Sequence, residues 1–510
     1  MWCRRPARLL VLVSWWLLPA TGSDVRVYST ALLRRELLAR FPGLAGNPGY
    51  WRLLAYLVSG GQRDDETGEP VIPAALLAEF EGRVAQHAAR NHVAKDFLEG
   101  FRRDVLPEFE FSEGWSYAEE KARVVTRLGV PEDVLALWHA AASDVLAGGV
   151  EVVELVSGRR RTRRVEADDD RVELARASAA LASVSYVADE TRAVIGYHNG
   201  LSRNSFSRVV RRHWDEAVGV ARGLAEESRA VTELALADIG WFPKPLLRPV
   251  ENSARAYSLR PSLLTVKSSV RRVLTQDWVE YDLKGAQFAI VARLWRIPEL
   301  QAFLATGASV WATLLGELGL PVSLKRKVKD AVYSLVFGGG LRTERVAESS
   351  GGKLRKGIAE RLDEETGVPG VGERFLALSL IRDVYEARER EIDHLVFEAF
   401  EAWTVFGKRL PIPVGGYERR REAARKALAQ QAQAVELLLL MPVYELASET
   451  DQFTVMLYQF DGVTVKYRDR RTCAYWHERI TSAVADAAER ERVQTRLEWE
   501  VGAAFAWRLV

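Results

Sequence analysis

The sequence predicts an α+β fold, in which a mainly helical N-terminal region precedes a part that combines strands with helices. Apolar residues recur at helical spacing through most of residues 30–150 and again over 171–237. From residue 278 onwards, segments that alternate between apolar and polar residues indicate strands. Of the 510 residues, 48% are hydrophobic and 27% are charged, which excludes a disordered, fibrous or multi-span membrane chain. At about 150 residues per domain, this length predicts three structural units.

The charge balance and the few cysteines restrict the kinds of partner and site that can be expected. Lys and Arg (71) nearly balance Asp and Glu (69), so the net charge of +2 does not by itself indicate a nucleic-acid partner, and any basic surface must be local. Cys3 and Cys473 cannot form a disulfide framework, and the seven histidines include no paired ligand spacing. A structural zinc site is therefore not expected.

The first 23 residues form a hydrophobic leader. Three arginines, Arg4, Arg5 and Arg8, precede an apolar run from Leu9 to Leu18, which is typical of a signal peptide. The run is shorter than the roughly 20 residues that a transmembrane helix needs. The alternatives are a buried hydrophobic helix and a start codon placed too far upstream.

The region that follows the leader shows helical patterns, for example at Ala74 to Ala89 and at Glu119 to Leu128, and no internal repeats. It also contains the acidic tripeptide Asp64-Asp65-Glu66. No hydrophobic strand leads into this tripeptide, which we interpret as a loop of solvated charges. The N-terminal 250 residues therefore show no strand-borne acidic site of the kind that a nuclease needs.

Two aspartates are predicted at strand ends or turns in the second half of the chain. Residues Trp278 to Leu283 alternate like a strand, and Gly285 to Trp295 then follow helical periodicity, so Asp282 lies where the strand ends. Between Thr454 and Tyr467, two β-rich runs flank Asp461-Gly462, which predicts a hairpin. Either aspartate alone is an ordinary structural feature, because Asp-Gly is a standard turn and an aspartate often starts a helix.

A helix with an unusual stripe lies between these aspartates. Pro321 and the N-cap candidate Ser323 predict its start, and three glycines from Gly338 predict its end. The stripe consists of four residues spaced by four: Lys325, Lys329, Tyr333 and Phe337. It covers about 18 Å and would offer charge to a triphosphate and flat apolar surface to a sugar and base. The alternative is an amphipathic helix whose lysines snorkel to solvent.

The order of these segments resembles the polymerase half of family A DNA polymerases, the DNA polymerase I type, over roughly residues 250–470. Motif A of the family corresponds to Tyr281–Gln287, motif B to the Lys-x3-Lys-x3-Tyr-x3-Phe-Gly helix, and motif C to Asp461 alone. The remaining matches are the Arg-x-Tyr-Ser segment at Arg255, the segment Phe406–Pro411, and Arg425-x7-Gln433.

The resemblance implies a right-hand polymerase fold, with a palm built on an antiparallel sheet and with helical fingers and thumb. It divides the chain into six regions: the leader 1–23, a helical accessory region 24–170, a thumb-like helical region leading into the palm 171–275, palm with motif A 276–320, fingers with motif B 321–400, and palm with motif C 401–510.

The resemblance also implies a role for each matched residue. Asp282 and Asp461 would hold two Mg²⁺ ions, or Mn²⁺ in their place, about 4 Å apart. Because Mg²⁺ keeps several waters and takes substrate oxygens, two carboxylates are chemically adequate. The nucleotide-binding residues would be Lys325, Lys329, Tyr333, Phe337 and Gln287, with Lys329 acting near the leaving group. Three residues would hold the primer-template: Arg255, Arg425 and Gln433.

Several positions depart from the family pattern. Gln287 and Phe337 replace the glutamate and tyrosine that close the ribose 2′ side, so the choice between deoxy- and ribonucleotides cannot be carried over. Lys325 replaces an arginine, which loses a bidentate fork and keeps the charge. Phe460 and Gly462 replace the polar residues that flank the motif C aspartate. The chain is therefore expected to be a divergent member.

The expected function is that of a template-directed DNA polymerase that extends a primer with nucleoside triphosphates and has no evident proofreading exonuclease. Its expected partners are primer-template nucleic acid, nucleoside triphosphates and a replication accessory protein, with no membrane partner, in the cytoplasm, where templates and triphosphates are found. The nearest alternative is a single-subunit RNA polymerase or primase-polymerase that uses ribonucleotides. A catalytically inactive polymerase-like protein that only binds nucleic acid is another, and the leader alone supports a secreted or membrane-tethered protein.

Overall fold

The computed structural model describes residues 28–58, 62–63, 70–73, 92–107, 111–114, 123–126, 130–147, 150–160, 163–250, 253–342, 344–345 and 354–501. The leader, the acidic tripeptide Asp64–Glu66 and the helix predicted at Ala74–Ala89 lie outside these residues. The described residues are mostly helical and include small antiparallel sheets. Within them, no helix is both long enough and apolar enough to cross a membrane.

The N-terminal part combines helices with two small sheets. Its helices are α1 (Ala31–Arg40), α2 (Pro48–Val58), α3 (His92–Asp104) and α4 (Glu132–Ala147). Strand β1 (Tyr28–Thr30) pairs with β6 (Val152–Glu154). A second sheet has the order β2-β3-β5-β4, formed by β2 (Gln62–Arg63), β3 (Pro70–Pro73), β4 (Phe111–Gly114) and β5 (Arg123–Thr126).

One helix prediction in this part is wrong. Part of the segment Glu119–Leu128 forms strand β5, which lies between β3 and β4. The sequence Arg-Val-Val-Thr of β5 is rich in β-branched residues, and its pairing with two strands outweighs the helical periodicity of the surrounding residues.

Helices and a short hairpin lead from this part to the central sheet. The helices are α5 (Arg163–Ser183), α6 (Asp189–Gly200), α7 (Arg203–Arg212), α8 (Trp214–Arg222), α9 (Glu226–Trp241) and α10 (Ser268–Leu274). Strands β7 (Leu247–Arg248) and β8 (Tyr257–Ser258) form the hairpin. Helix α5 runs through residues 170 and 171, where the resemblance places a boundary between regions.

The central sheet is antiparallel and has the strand order β14-β15-β9-β16. Its strands are β9 (Val279–Leu283), β14 (Phe453–Tyr458), β15 (Gly462–Tyr467) and β16 (Leu497–Val501). The strand predicted at Trp278–Leu283 is confirmed, and its alternation has a physical meaning: Val279, Tyr281 and Leu283 are buried while Asp282 is exposed. The hairpin predicted at Asp461-Gly462 is also confirmed, with β15 starting at Gly462.

A helical layer follows β9. It contains α11 (Ala286–Leu294), α12 (Pro298–Ala305), α13 (Val310–Leu318), α14 (Lys325–Val336), α15 (Ile358–Thr366), α16 (Val371–Ala377) and α17 (Ser379–His394). Two short hairpins accompany it, β10 (Glu344–Arg345) with β11 (Leu354–Arg355), and β12 (Glu401–Trp403) with β13 (Arg409–Pro411). Helix α14 does not start at a Ser323 cap, because a 3₁₀ turn, Val322–Leu324, precedes Lys325.

The long helix α18 (Tyr417–Glu449) joins the two large hydrophobic cores, and α19 (Cys473–Arg490) covers the sheet. Near its start, Ala424 and Leu428 pack into the core of the helical layer. Further along, Val435 and Leu440 pack into the core beneath the central sheet. Because one helix contributes to both cores, it fixes the position of the helical layer relative to the sheet.

Candidate functional site

The two aspartates lie side by side at the end of two neighbouring strands. In the antiparallel pair of β9 and β15, Gly462 is opposite Asp282, and the Leu283 amide donates to the Asp461 carbonyl oxygen at 2.8 Å. A glycine at 462 is required for this approach, because a Cβ there would lie 2.4 Å from the Tyr281 carbonyl oxygen. The close pairing of backbones therefore brings two carboxylates from distant parts of the sequence together.

The turn that carries Asp461 is held from one side by aromatic and cationic contacts. Phe460 has a φ of +69°, which is unusual for a bulky residue. Its ring packs against Tyr257, with centroids 5.3 Å apart, and the Arg255 guanidinium lies 4.7 Å from the ring centroid. These contacts stabilise a strained turn next to Asp461.

The charge around Asp282 is poorly compensated. Its side chain is open to solvent on one side, while surrounding protein partly desolvates the carboxyl. This desolvation and, next, the negative charge of Asp461 raise the pKa of Asp282 well above its ordinary value, although Lys329 opposes the change. Two carboxylates held this close favour either a shared proton or a bound cation.

Helix α14 presents Lys329 and Tyr333 to these carboxylates. The Lys329 ammonium lies 5.3 Å from the ring centroid of Trp311 and 5.7 Å from that of Tyr333, so two aromatic rings place it. Burial and then the charge of Asp461 raise the pKa of the Tyr333 hydroxyl, which therefore stays neutral at physiological pH. Helix α14 thus brings an ammonium and a phenol close enough to interact electrostatically with the two acids.

The predicted stripe on α14 is present, with one change at its end. Lys325 is exposed at the start of the helix, and Lys329, Tyr333 and Phe337 are half-buried. Phe337 is the C-cap residue rather than part of the helix, and Gly338 follows with a φ of +93°. The three glycines therefore end the helix as predicted.

A buried carboxylate that the motifs did not identify lies beneath the site. Glu436 is fully buried in α18 and accepts hydrogen bonds from Arg255 Nε at 2.8 Å, Arg255 Nη2 at 3.0 Å and Gln287 Nε2 at 3.1 Å. Burial raises the pKa of Glu436 to about 7, although the charge of Arg255 opposes this, and Asp461 raises it further. Arg255 and Gln287, which the sequence placed in separate roles, therefore meet at one carboxylate.

A sequence signal for Glu436 does exist. It is the one charged residue in the run from Ala432 to Leu440, and an isolated acid in an apolar helical segment is rarely buried without a partner. It also follows Gln433 by three residues, so both project from the same side of a helix. Its partners, however, are more than 140 residues away along the chain.

The other two predicted nucleic-acid contacts lie on α18 as well. Gln433 Oε1 accepts from the Ser253 hydroxyl at 2.6 Å. Arg425 packs against the end of α14, since a Cβ at Gly338 would lie 2.8 Å from Arg425 Cδ. The ten predicted residues therefore lie on the end of β9, the β14–β15 turn, α11, α14 with its C-cap, α18 and the segment before β8.

A divalent cation fits the available donors. Within the described ranges, no group of three or more His, Cys, Asp and Glu side chains could hold a metal ion. The nearby Glu280 accepts from Arg271 at 3.2 Å and from Gln459 at 2.9 Å, and Glu436 is occupied as above. Asp282 and Asp461 remain as hard oxygen donors, and a cation would relieve the repulsion between them, which adds to desolvation in raising the pKa of Asp282.

Comparisons with known proteins give a similarity to solved structures. No family model matches the chain, and no curated protein matches it. Among solved structures, the chain is similar to the POL domain of Pol1 from M. smegmatis in complex with DNA primer-template and dNTP. The sequence identity is 14% and the TM-score 0.39, over 88% of this chain and 80% of that chain.

Proposed function

We propose that this chain is a template-directed DNA polymerase that adds nucleoside triphosphates to the 3′ end of a primer. The observation that carries the proposal is the position of Asp282 near the end of β9 beside Asp461 in the adjoining β14–β15 turn, with Lys329 and Tyr333 of α14 nearby. In this proposal the central sheet is the palm, residues 321–400 with helices α14 to α17 are the fingers, and residues 171–275 with the end of α5 and helices α6 to α10 form the thumb-like region of a right-hand fold of the family A type.

In the proposed reaction, these residues position the substrates and stabilise negative charge. Asp282 and Asp461 would hold Mg²⁺, or Mn²⁺, which activates the primer hydroxyl and stabilises the leaving pyrophosphate. Lys329 would neutralise charge on the triphosphate near the leaving group, and Lys325 would contact a second phosphate. Tyr333 and Phe337 would pack on the nucleotide. These roles require side chains that the substrate can reach, and Lys325 and Asp282 are both exposed to solvent.

The proposal also includes the partners of the enzyme. Primer-template would lie along Arg255, Arg425 and Gln433, and a replication accessory protein could assist it. We place the protein in the cytoplasm without a membrane partner, because its substrates are there, and assign it no proofreading exonuclease. Arg255 and Gln433 are already bonded within the protein, to Glu436 and Ser253, so they would contact nucleic acid through their remaining hydrogen-bonding groups.

One observation favours a ribonucleotide-using polymerase as the second candidate. The Glu436 carboxylate accepts from Gln287 Nε2, which fixes the orientation of the amide. Gln287 Oε1 is then buried with no hydrogen-bond donor among the described residues. A ribose 2′-hydroxyl would supply such a donor, whereas a deoxyribose would leave the acceptor unpaired.

The test is extension of a labelled primer on a DNA template with Mg²⁺, with deoxynucleotides and ribonucleotides in separate reactions. Template-dependent growth by the wild-type protein and none by Asp282→Asn or Asp461→Asn would support the proposal, and the preferred sugar decides between the two candidates. Both variants keep nearly the same shape, so they should still bind primer-template. Growth that persists in both variants, or no growth on DNA or RNA templates, would refute the assignment.

A further inference from the structure

Four aromatic side chains are exposed on the stretch of chain around the β12–β13 hairpin. The exposed fractions are 57% for Phe397, 53% for Phe400, 52% for Trp403 and 44% for Tyr417. We call these four side chains the aromatic patch. Within the part of the chain that the structure describes, only three other aromatic side chains are similarly exposed: Tyr186, Tyr475 and Trp499. Because burial of such rings is favourable, several rings left in solvent on one short stretch of chain indicate a binding surface.

Contacts hold the rings of the patch in place. Phe397 and Tyr417 stack with centroids 5.7 Å apart and an interplanar angle of 21°. The Arg420 guanidinium lies 6.0 Å from the Phe397 centroid and 5.1 Å from that of Phe400. Trp403 donates from Nε1 to Glu401 at 3.0 Å, which anchors the indole on β12. Rings that are already ordered lose little conformational entropy when a flat partner stacks on them.

The backbone of Phe400 adopts a left-handed conformation, which is unfavourable for phenylalanine. Its φ is +58°, and its carbonyl oxygen accepts from the Ile412 amide at 2.9 Å across the hairpin. Glycine would adopt this φ without strain, whereas a phenylalanine is costly there. The protein thus carries an exposed phenylalanine ring at a position where a glycine would make the folded state more stable.

The surroundings of the patch are cationic. Residues 397–426 contain seven Lys and Arg against four Glu. Arg420 Nη2 and Arg425 Nε are buried and have no hydrogen-bond partner within the described ranges. Arg425 in turn contacts the Gly338 end of α14. Helix α18 therefore carries one arginine beside the patch, Arg420, and another beside the end of α14, Arg425.

We propose that the aromatic patch, with Arg420 and Arg425, binds an unpaired stretch of nucleic acid, whose bases stack on the rings and whose phosphates meet the arginines. Every base has an apolar face and every nucleotide a negative charge, which matches rings interleaved with guanidinium groups. A duplex hides its base faces in the helical stack, so it cannot use the rings. Resting on the proposed function, this inference identifies the occupant as single-stranded template ahead of the primer end.

The test compares two primer-templates that share one duplex and differ in the length of the single-stranded template overhang. The overhang is about 2 nucleotides in one and about 15 in the other, so the two lengths bracket the usual size of a single-strand binding site. Binding to the full-length protein is measured by fluorescence anisotropy at one fixed salt concentration. The variants are Phe400→Gly, which removes a ring and relieves the positive φ, and Trp403→Ala. The matched control is Tyr475→Ala, because Tyr475 is equally exposed and contacts Arg479 as Tyr417 contacts Arg421.

We expect Phe400→Gly and Trp403→Ala each to weaken binding of the long overhang about tenfold, with little effect on the short overhang or in Tyr475→Ala.

Unchanged affinity, or an equal loss with both overhangs, would overturn the proposal. So would self-association of the wild-type protein in sedimentation that Phe400→Gly abolishes, because the patch would then bind a second copy. Overhang-dependent loss without any primer extension would support the patch and refute the polymerase assignment, so the two failures are distinguishable.

Discussion

Arg255 and Glu436 form a two-point ion pair inside the protein, with both contacts, from Nε and from Nη2, at 3.0 Å or less. The pair joins the segment before β8 to the middle of α18, 181 residues further along the chain. The same guanidinium lies over the Phe460 ring, beside Asp461. One buried carboxylate therefore helps to position the turn that carries a proposed metal ligand.

Loss of Glu436 should destabilise the protein strongly. Glu436→Ala leaves the largely buried Arg255 guanidinium without its counter-charge, and we expect a loss of about 3–5 kcal/mol in the free energy of unfolding, measured by urea denaturation. Glu436→Gln keeps the shape and should cost less. In the double variant Arg255→Met/Glu436→Leu, most of the stability should return, because neither charge is left alone. Additive losses in the double variant would show that the pair does not act as a unit.

Lys329 should matter for turnover and not for folding. Lys329→Met removes the cation that faces Asp282 and Tyr333, and we expect kcat/KM for nucleotide addition to fall on the order of 100-fold or more, as for loss of one charge-stabilising group. The matched control is Lys327→Met, since Lys327 pairs with Glu365 at 3.3 Å, away from the carboxylates. A similar fall in both variants would indicate a general effect of positive charge on α14. Affinity for primer-template, measured in parallel, should change little in either variant.

Gly338 lies where the end of α14 meets Arg425, so we expect its substitution to weaken nucleic-acid binding. In Gly338→Ala, the new Cβ meets Arg425 at 2.8 Å from Cδ, and the φ of +93° is unfavourable for alanine. Gly319→Ala is the matched control, because Gly319 has a φ of +66° and open space around its Cβ position. Both variants should lose roughly 1–2 kcal/mol of stability from backbone strain. Only Gly338→Ala should also weaken primer-template binding, and equal affinity in the two variants would argue against a role for Arg425.

His198 should make the protein sensitive to acid. Burial, and then the charge of Lys244, lower the pKa of His198 to about 3, and its Nε2 lies 2.9 Å from the Tyr444 hydroxyl. The unfolded chain binds a proton at this residue below about pH 6.5 while the folded protein does not, so stability falls as the pH decreases from about 6.5 towards 3. At pH 4 the contribution is on the order of 3 kcal/mol.

The measurement is urea unfolding at pH 7 and pH 4 for the wild-type protein and for His198→Gln. Glutamine retains a hydrogen bond to Tyr444 and cannot titrate in this range. Its stability should therefore decrease less between the two pH values. A parallel decrease in both proteins would mean that other groups carry the acid sensitivity.

Local patterns in the sequence predicted the elements that carry the candidate site. The alternation at Trp278–Leu283 corresponds to β9, the Asp461-Gly462 signal to the β14–β15 hairpin, and the four-residue spacing to α14. Strand β9 and helix α14 follow their own side-chain periodicity because each has one face in a core and one face outside it, whereas the hairpin, which is buried on both faces, was predicted from its turn. The prediction at Glu119–Leu128 was wrong because strand pairing there outweighs local periodicity.

The sequence by itself determined which residue types stand on which element: an aspartate at the end of a strand, another at a turn, and two lysines followed by two aromatics along a helix. Only the tertiary structure decided that Gly462 lies opposite Asp282, that Glu436 joins Arg255 to Gln287, and that exposed rings surround the β12–β13 hairpin. The physical reason is the sequence separation between the residues that interact. Periodicity records contacts between residues a few positions apart, whereas strand register and buried ion pairs join residues more than 140 positions apart, at distances that only the packed chain sets.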